Sequence, residues 1–134
     1  MRYHGNMLIT HRLPECSAFY TRLLGVEPSE GAGWAQFPLP DGTFIALHTP
    51  WHGDMQTEGG SQVMLLKVDS LATESERLSG VGITFSEPHE IPGGAVVTIS
   101  DPEGRTMQLI EIQPPEIQPP EIQPPETQLL ERAT

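Results

Sequence analysis

Five histidines, one cysteine and two tryptophans are the residues of this chain whose types could carry chemistry or grip a ligand. Imidazoles with carboxylates could hold a divalent metal. His48 and His52 stand four apart, the spacing that places two imidazoles on one helix face, but Pro50 between them argues against that helix. His11 and His89 fall near predicted element ends, where an exposed polar histidine is the simpler reading. Cys16 lies on the apolar side of a predicted helix and reads as packing, not as a nucleophile. A lone cysteine can form neither an intrachain disulfide nor a thiolate metal site by itself. No Ser-His-Asp order, phosphate loop or nucleotide fingerprint occurs, so hydrolase and kinase readings gain no support. Trp34 and Trp51 offer flat faces on which planar or cationic small molecules could stack.

The elements that must position these residues come in two copies. Asn6-Met7-Leu8 and Met64-Leu65-Leu66 are apolar strand candidates, each leading to a helix start about four residues on, and Leu13 matches Leu71 at a spacing of 58. Pro40-Asp41-Gly42-Thr43-Phe44-Ile45-Ala46-Leu47 matches Pro102-Glu103-Gly104-Arg105-Thr106-Met107-Gln108-Leu109 at a spacing of 62. Two matches in the same order indicate a duplicated unit. In the first unit residues 5–11 suit a strand. Pro14 opens a helix, with Cys16, Phe19, Tyr20 and Leu23 at helical spacing and Gly25 as its left-handed stop. Strands follow at Gly33–Leu39 and Thr43–His48 about a Pro-Asp-Gly turn. In the second unit Gln62–Val68 is a strand, Asp69 or Ser70 caps a helix that Gly80 ends, and Gly82–Phe85 is a short strand. Ala95–Ser100 and Arg105–Ile112 then form a hairpin about Asp101-Pro102-Glu103-Gly104. The expected fold is α+β: two tandem βαβββ modules, 3–49 and 62–112, joined by a linker at 50–61, making residues 1–112 one domain.

Beyond it, Glu-Ile-Gln-Pro-Pro occurs three times in tandem from Glu111, and residues 113–134 read as a low-complexity tail in polyproline II. Ile112, Ile117 and Ile122 could dock on an apolar groove of this or a neighbouring chain; a solvated extension is the plainer reading.

Net charge is −11, and residues 1–110 alone hold 6 basic and 13 acidic residues. With Lys67 as the only lysine, the clustered positive charge that nucleic acid requires is missing, and that class is rejected. No apolar run approaches the roughly 20 residues of a membrane span, and the first six residues do not read as a signal peptide. The expectation is a soluble, cytoplasmic protein with no membrane partner.

Ser17-Ala18-Phe19-Tyr20-Thr21-Arg22-Leu23-Leu24-Gly25, Asp101-Pro102-Glu103-Gly104 and the tandem units together resemble the vicinal oxygen chelate superfamily. That group contains glyoxalase I, fosfomycin-modifying enzymes, extradiol dioxygenases and bleomycin resistance proteins, and the resemblance spans residues 3–112. It implies a curved, cup-shaped mixed sheet, and commonly a homodimer with cups completed between subunits. It also implies a divalent metal held from the first and last strands of each unit, at places that fall here on Gly5, Ala46, Val63 and Gln108. Three of these have no donor atom, and one neutral amide does not hold a metal. A displaced set of His4, His48 and Gln108 would need a bulge turning His4 inward.

Strand alternation then gives the expected lining of the cup: Met7, Ile9, Trp34, Gln36, Phe44, His48, Gln108 and Ile110, with Trp51 at the rim. The leading expectation is a metal-independent protein, without cofactor, that binds a small planar or cationic ligand and resembles the bleomycin-resistance type, which acts by sequestration. The alternative is a metal-dependent lyase, isomerase or dioxygenase of the glyoxalase type using the displaced ligand set. A third is an interaction module working through the tail.

Overall fold

The structure, a computed structural model, describes residues 2–57 and 62–112. The tail and residues 58–61 of the linker lie outside the described residues. The first module runs β1 (Gly5–Ile9), α1 (Leu13–Leu24), β2 (Ser29–Gly31), β3 (Trp34–Pro38) and β4 (Phe44–His48). The second runs β5 (Met64–Lys67), α2 (Leu71–Gly80), β6 (His89–Ile91), β7 (Gly94–Ser100) and β8 (Thr106–Ile112). Each module builds its own four-stranded mixed sheet, ordered β1-β4-β3-β2 and β5-β8-β7-β6, with the first and last strands of a module parallel. Register repeats with the sequence: Met7 faces Ala46 in one sheet, and Leu65 faces Gln108 in the other.

Local chemistry explains the ends of the helices. Pro14 sits in the first turn of α1, and Gly25 closes it at φ 69°, its amide donating to the Thr21 carbonyl. Ser70 caps α2, its hydroxyl accepting from the Thr73 amide. Gly80 belongs to the last turn of α2, and it is Gly82, at φ 77°, that takes the left-handed turn. Gly82–Phe85 is not a strand: Ile83 donates its amide back to the Leu78 carbonyl and buries its side chain, leaving no ladder for the segment. The missing strands are β2 and β6, short outer strands that turn back through Gly33 and Gly93, both at positive φ. β1 stops at Ile9, because Thr10 is drawn into the module junction described next.

Side chains facing the helices from both sheets, among them Phe37, Ile45, Leu47, Val97, Ile99, Met107 and Leu109, join Cys16, Phe19, Tyr20, Leu23 and Leu78 in one buried cluster. A polar junction fastens the modules beside it. The Asp101 carboxylate accepts from the Tyr20 hydroxyl at 2.8 Å and from Arg105 Nη1 at 2.7 Å, while Arg105 Nη2 donates to the Ile9 carbonyl. Glu103 accepts from Thr10 Oγ1 and the His11 amide, and Arg77 on α2 donates to the carbonyls of Arg22 and Leu23 on α1. Burial, and then the adjacent Asp101 carboxylate, push the Tyr20 phenol well above its ordinary value. For Glu103, burial acts upward, but hydrogen bonds from Thr10 and His11 outweigh it and hold the carboxyl low. No helix among the described residues is long and apolar enough to cross a membrane.

Candidate functional site

With one face of each sheet committed to the shared core, the alternate side chains fall on the opposite, open face. In the first sheet they form rows set by register: Gly5–Phe44–Pro38, Met7–Ala46–Gln36 and Ile9–His48–Trp34. Ala46 is nearly covered by its row, whereas Met7 is half exposed and Trp34 is 38% exposed. Trp51, just past β4, meets His48 edge-on with ring centroids 5.3 Å apart. His48 and Trp51 therefore meet at the end of β4, while Trp34, opposite His48 in register, lays its indole over Gly31 of β2.

His48 Nδ1 lies 2.6 Å from the Thr49 carbonyl oxygen. A carbonyl only accepts, so Nδ1 carries the proton and, in the neutral ring, Nε2 keeps a lone pair for a ligand donor. Gln36 adds an exposed amide one row away.

In the second sheet the corresponding rows are Leu65–Gln108–Thr98 and Lys67–Ile110–Val96–His89. All nine expected lining residues are thus on open faces or, for Trp51, at the end of one. Met7, Ile9, Trp34, Gln36, Phe44 and His48 share the first sheet, while Gln108 and Ile110 stand on the second. Among the described residues no strand of one sheet hydrogen-bonds a strand of the other. The same face of the second sheet also carries Leu65, Lys67, Thr98 and His89, which the sequence reading did not place there. The 58-residue repeat carries the signal for two of them, since Met7 maps onto Leu65 and Ile9 onto Lys67.

The positions that resemblance assigns to a metal do not fit one. A Cβ at Gly5 would come within 2.5 Å of the Phe44 carbonyl oxygen and 2.8 Å of its ring, so no donor side chain has room there. Ala46 and Val63 have no donor, which leaves Gln108 alone. The displaced set fares no better: His4 packs edge-on against Phe44 at the start of β4, and His48 ends the same strand. Four residues of strand separate those ends by about 13 Å, far beyond a shared coordination sphere. Among the described residues no three His, Cys, Asp or Glu side chains gather into a metal-binding group. His52 pairs with Asp54 in an exposed turn, and His11 and His89 are exposed. Cys16 is fully buried, and desolvation raises its thiol pKa, which suits a packing role.

Comparison with known proteins agrees with this architecture. Residues 4–109 match the model of the Glyoxalase/Bleomycin resistance protein/Dioxygenase superfamily. A glyoxalase/bleomycin resistance protein/dioxygenase from Nocardioides is similar at 25% identity and TM-score 0.67, over 86% of this chain and 85% of that one. A domain of the same description from a Frankia species is 21% identical with TM-score 0.65, over 87% and 94%. A lactoylglutathione lyase from Agrobacterium tumefaciens is 20% identical with TM-score 0.64, over 82% and 92%. Among curated proteins, none matches the chain.

Proposed function

The chain belongs to the Glyoxalase/Bleomycin resistance protein/Dioxygenase superfamily, and from that premise we propose that it is a metal-independent, cytoplasmic binding protein for a planar or cationic small molecule. The observation that carries this reading is the His48–Trp51 pair on the open face of the first sheet, with the Trp34 indole one strand away over Gly31. Indole faces give a flat ligand stacking area, and their quadrupoles attract positive charge. An acidic chain of net charge −11 favours the approach of cations. His48 Nε2 and the Gln36 amide supply directional polar contacts beside that surface. The crowding at Gly5 and the absence of donors at Ala46 and Val63 support binding without a metal. In this role the protein holds its ligand and breaks no bond, which would suit sequestration of an antibiotic.

A second copy completes the receptacle in this proposal. Among the described residues β1 pairs on one side only, and Met7 beside that edge is about half exposed. Apolar side chains next to unpaired strand edges favour pairing with another chain.

Isothermal titration against a panel of planar cationic antibiotics, with native mass spectrometry of the same sample, tests the reading. Binding to a metal-free dimer, weakened about tenfold or more by Trp34→Ala, is the expected result. No binding across the panel, or one transition metal retained per chain, would overturn it.

A further inference from the structure

A second concavity lies away from the His48–Trp51 pair, between the modules. It encloses about 620 Å³ among the end of α1, the β3–β4 turn, β5 and the side of α2, with Leu24, Leu39 and Leu66 on its apolar floor. Its charged lining residues are Lys67, the only lysine of the chain, with Arg77, Glu74 and Asp41, and Arg77 is already paired with Glu74 at 2.8 Å. We propose that the chain's own C-terminal repeat, residues 113–134, docks in this groove and seats an isoleucine of Glu-Ile-Gln-Pro-Pro on that floor.

The point of exit favours this occupant. β8 ends at Ile112, and the Glu111 carboxylate accepts the Leu71 amide at 2.7 Å, at the start of α2. Glu74, one helical turn further on, already lines the groove. On the other side Val68, also part of the lining, donates its amide to the Ile110 carbonyl at 2.9 Å. The chain therefore leaves the fold at the edge of the concavity, and tethering gives a following segment an effective concentration on the order of millimolar. A second copy's tail would have to compete with that.

The chemistry of the repeat matches the groove. Ile117 and Ile122 are each preceded by a glutamate, so an isoleucine on the leucine floor brings Glu116 or Glu121 toward Lys67, the lining cation with no carboxylate partner among the described residues. Paired prolines restrict the free segment, which lowers the ordering cost of docking. A five-residue repeat spans about 15 Å in polyproline II, so one repeat fills the groove and the next offers an equivalent register.

Methyl NMR on the full-length chain is the test. Expected are cross-peaks from Ile117 or Ile122 methyls to Leu24 and Leu66 methyls, unchanged on dilution and lost in the Ile117→Asp/Ile122→Asp double variant. Lys67→Glu should also reduce them while leaving the remaining spectrum in place. Absence of these cross-peaks in the unmodified chain overturns the proposal. So does their appearance only between differently labelled chains, which would make the occupant a second copy. Ligand titration at Trp34 reads a different face, so either result leaves the binding proposal to its own test.

Discussion

Replacing Asp101 by Asn should destabilise the protein more than almost any other isosteric change. Its carboxylate is fully buried and accepts four hydrogen bonds: from the Tyr20 hydroxyl, from Arg105 Nη1, and from the Glu103 and Arg105 amides. Asparagine keeps the shape, but its NH2 cannot accept, so one side of the group turns a donor toward donors. It also leaves the Arg105 guanidinium, whose side chain is 9% exposed, without its counter-charge. Burial opposes that cation, and the hydrogen bond it donates to Asp101 is the chief reason its pKa nevertheless stays raised. Removing one partner of a buried pair costs about 3–5 kcal/mol, a large share of the roughly 5–15 kcal/mol that keeps a domain folded. At roughly 4 °C per kcal/mol for a chain of this size, the melting temperature should fall by about 12–20 °C. Urea unfolding followed by circular dichroism should show a lower midpoint at unchanged slope. The paired change Asp101→Leu/Arg105→Met should cost less than Asp101→Asn, because no charge is then stranded. A loss under about 1 kcal/mol for Asp101→Asn, typical of a solvated ion pair, would refute the idea that this junction is dry.

Other outcomes follow from the same structure. Glu103→Gln should remove part of the acid sensitivity. The folded carboxyl titrates below its ordinary value of 4.5, so its stabilisation is whole above that pH and disappears as pH drops through the lower folded value. The stability gap between wild type and variant, measured by urea titration across acidic pH, should therefore close toward low pH. Cys16 should resist a thiol reagent at neutral pH in the native protein and react in full once unfolded, since it is buried with a raised pKa. Gly5→Ala should cost about 1–3 kcal/mol by overpacking against Phe44, whereas Gly53→Ala, with open space around it, should stay within about 0.5 kcal/mol in thermal melts.

The duplicated architecture was legible because its signals are local. Pro14, Gly25 and Ser70 mark helix ends by their backbone chemistry, and the Pro-Asp-Gly and Asp-Pro-Glu-Gly turns fix two hairpins. β2 and β6 were not legible: Ser29-Glu30-Gly31 and His89-Glu90-Ile91 have no strand-like composition, and only pairing to β3 and β7 makes them strands. Gly82–Phe85 misled for the opposite reason, since its alternating apolar residues serve burial of Ile83 without any ladder partner. Alternation tells which side chains share a face of a strand, but it could not tell that the expected lining residues divide between two sheets. Nor could it reveal that Phe44 fills the space beside Gly5, a fact of packing between neighbouring strands.

The matched registers of the two sheets have a consequence for how such a molecule diversifies. Met7 and Leu65, Ile9 and Lys67, Ala46 and Gln108, His48 and Ile110 occupy equivalent stations on one copied backbone. Across every pair except the first the chemistry has drifted apart, leaving one half aromatic and the other carrying a cation and an amide. Neither copy has to conserve the other's surface, because helices, turns and core already hold the scaffold in place. A symmetric frame can thus present two unlike walls, and each can be rewritten residue by residue at little risk to folding.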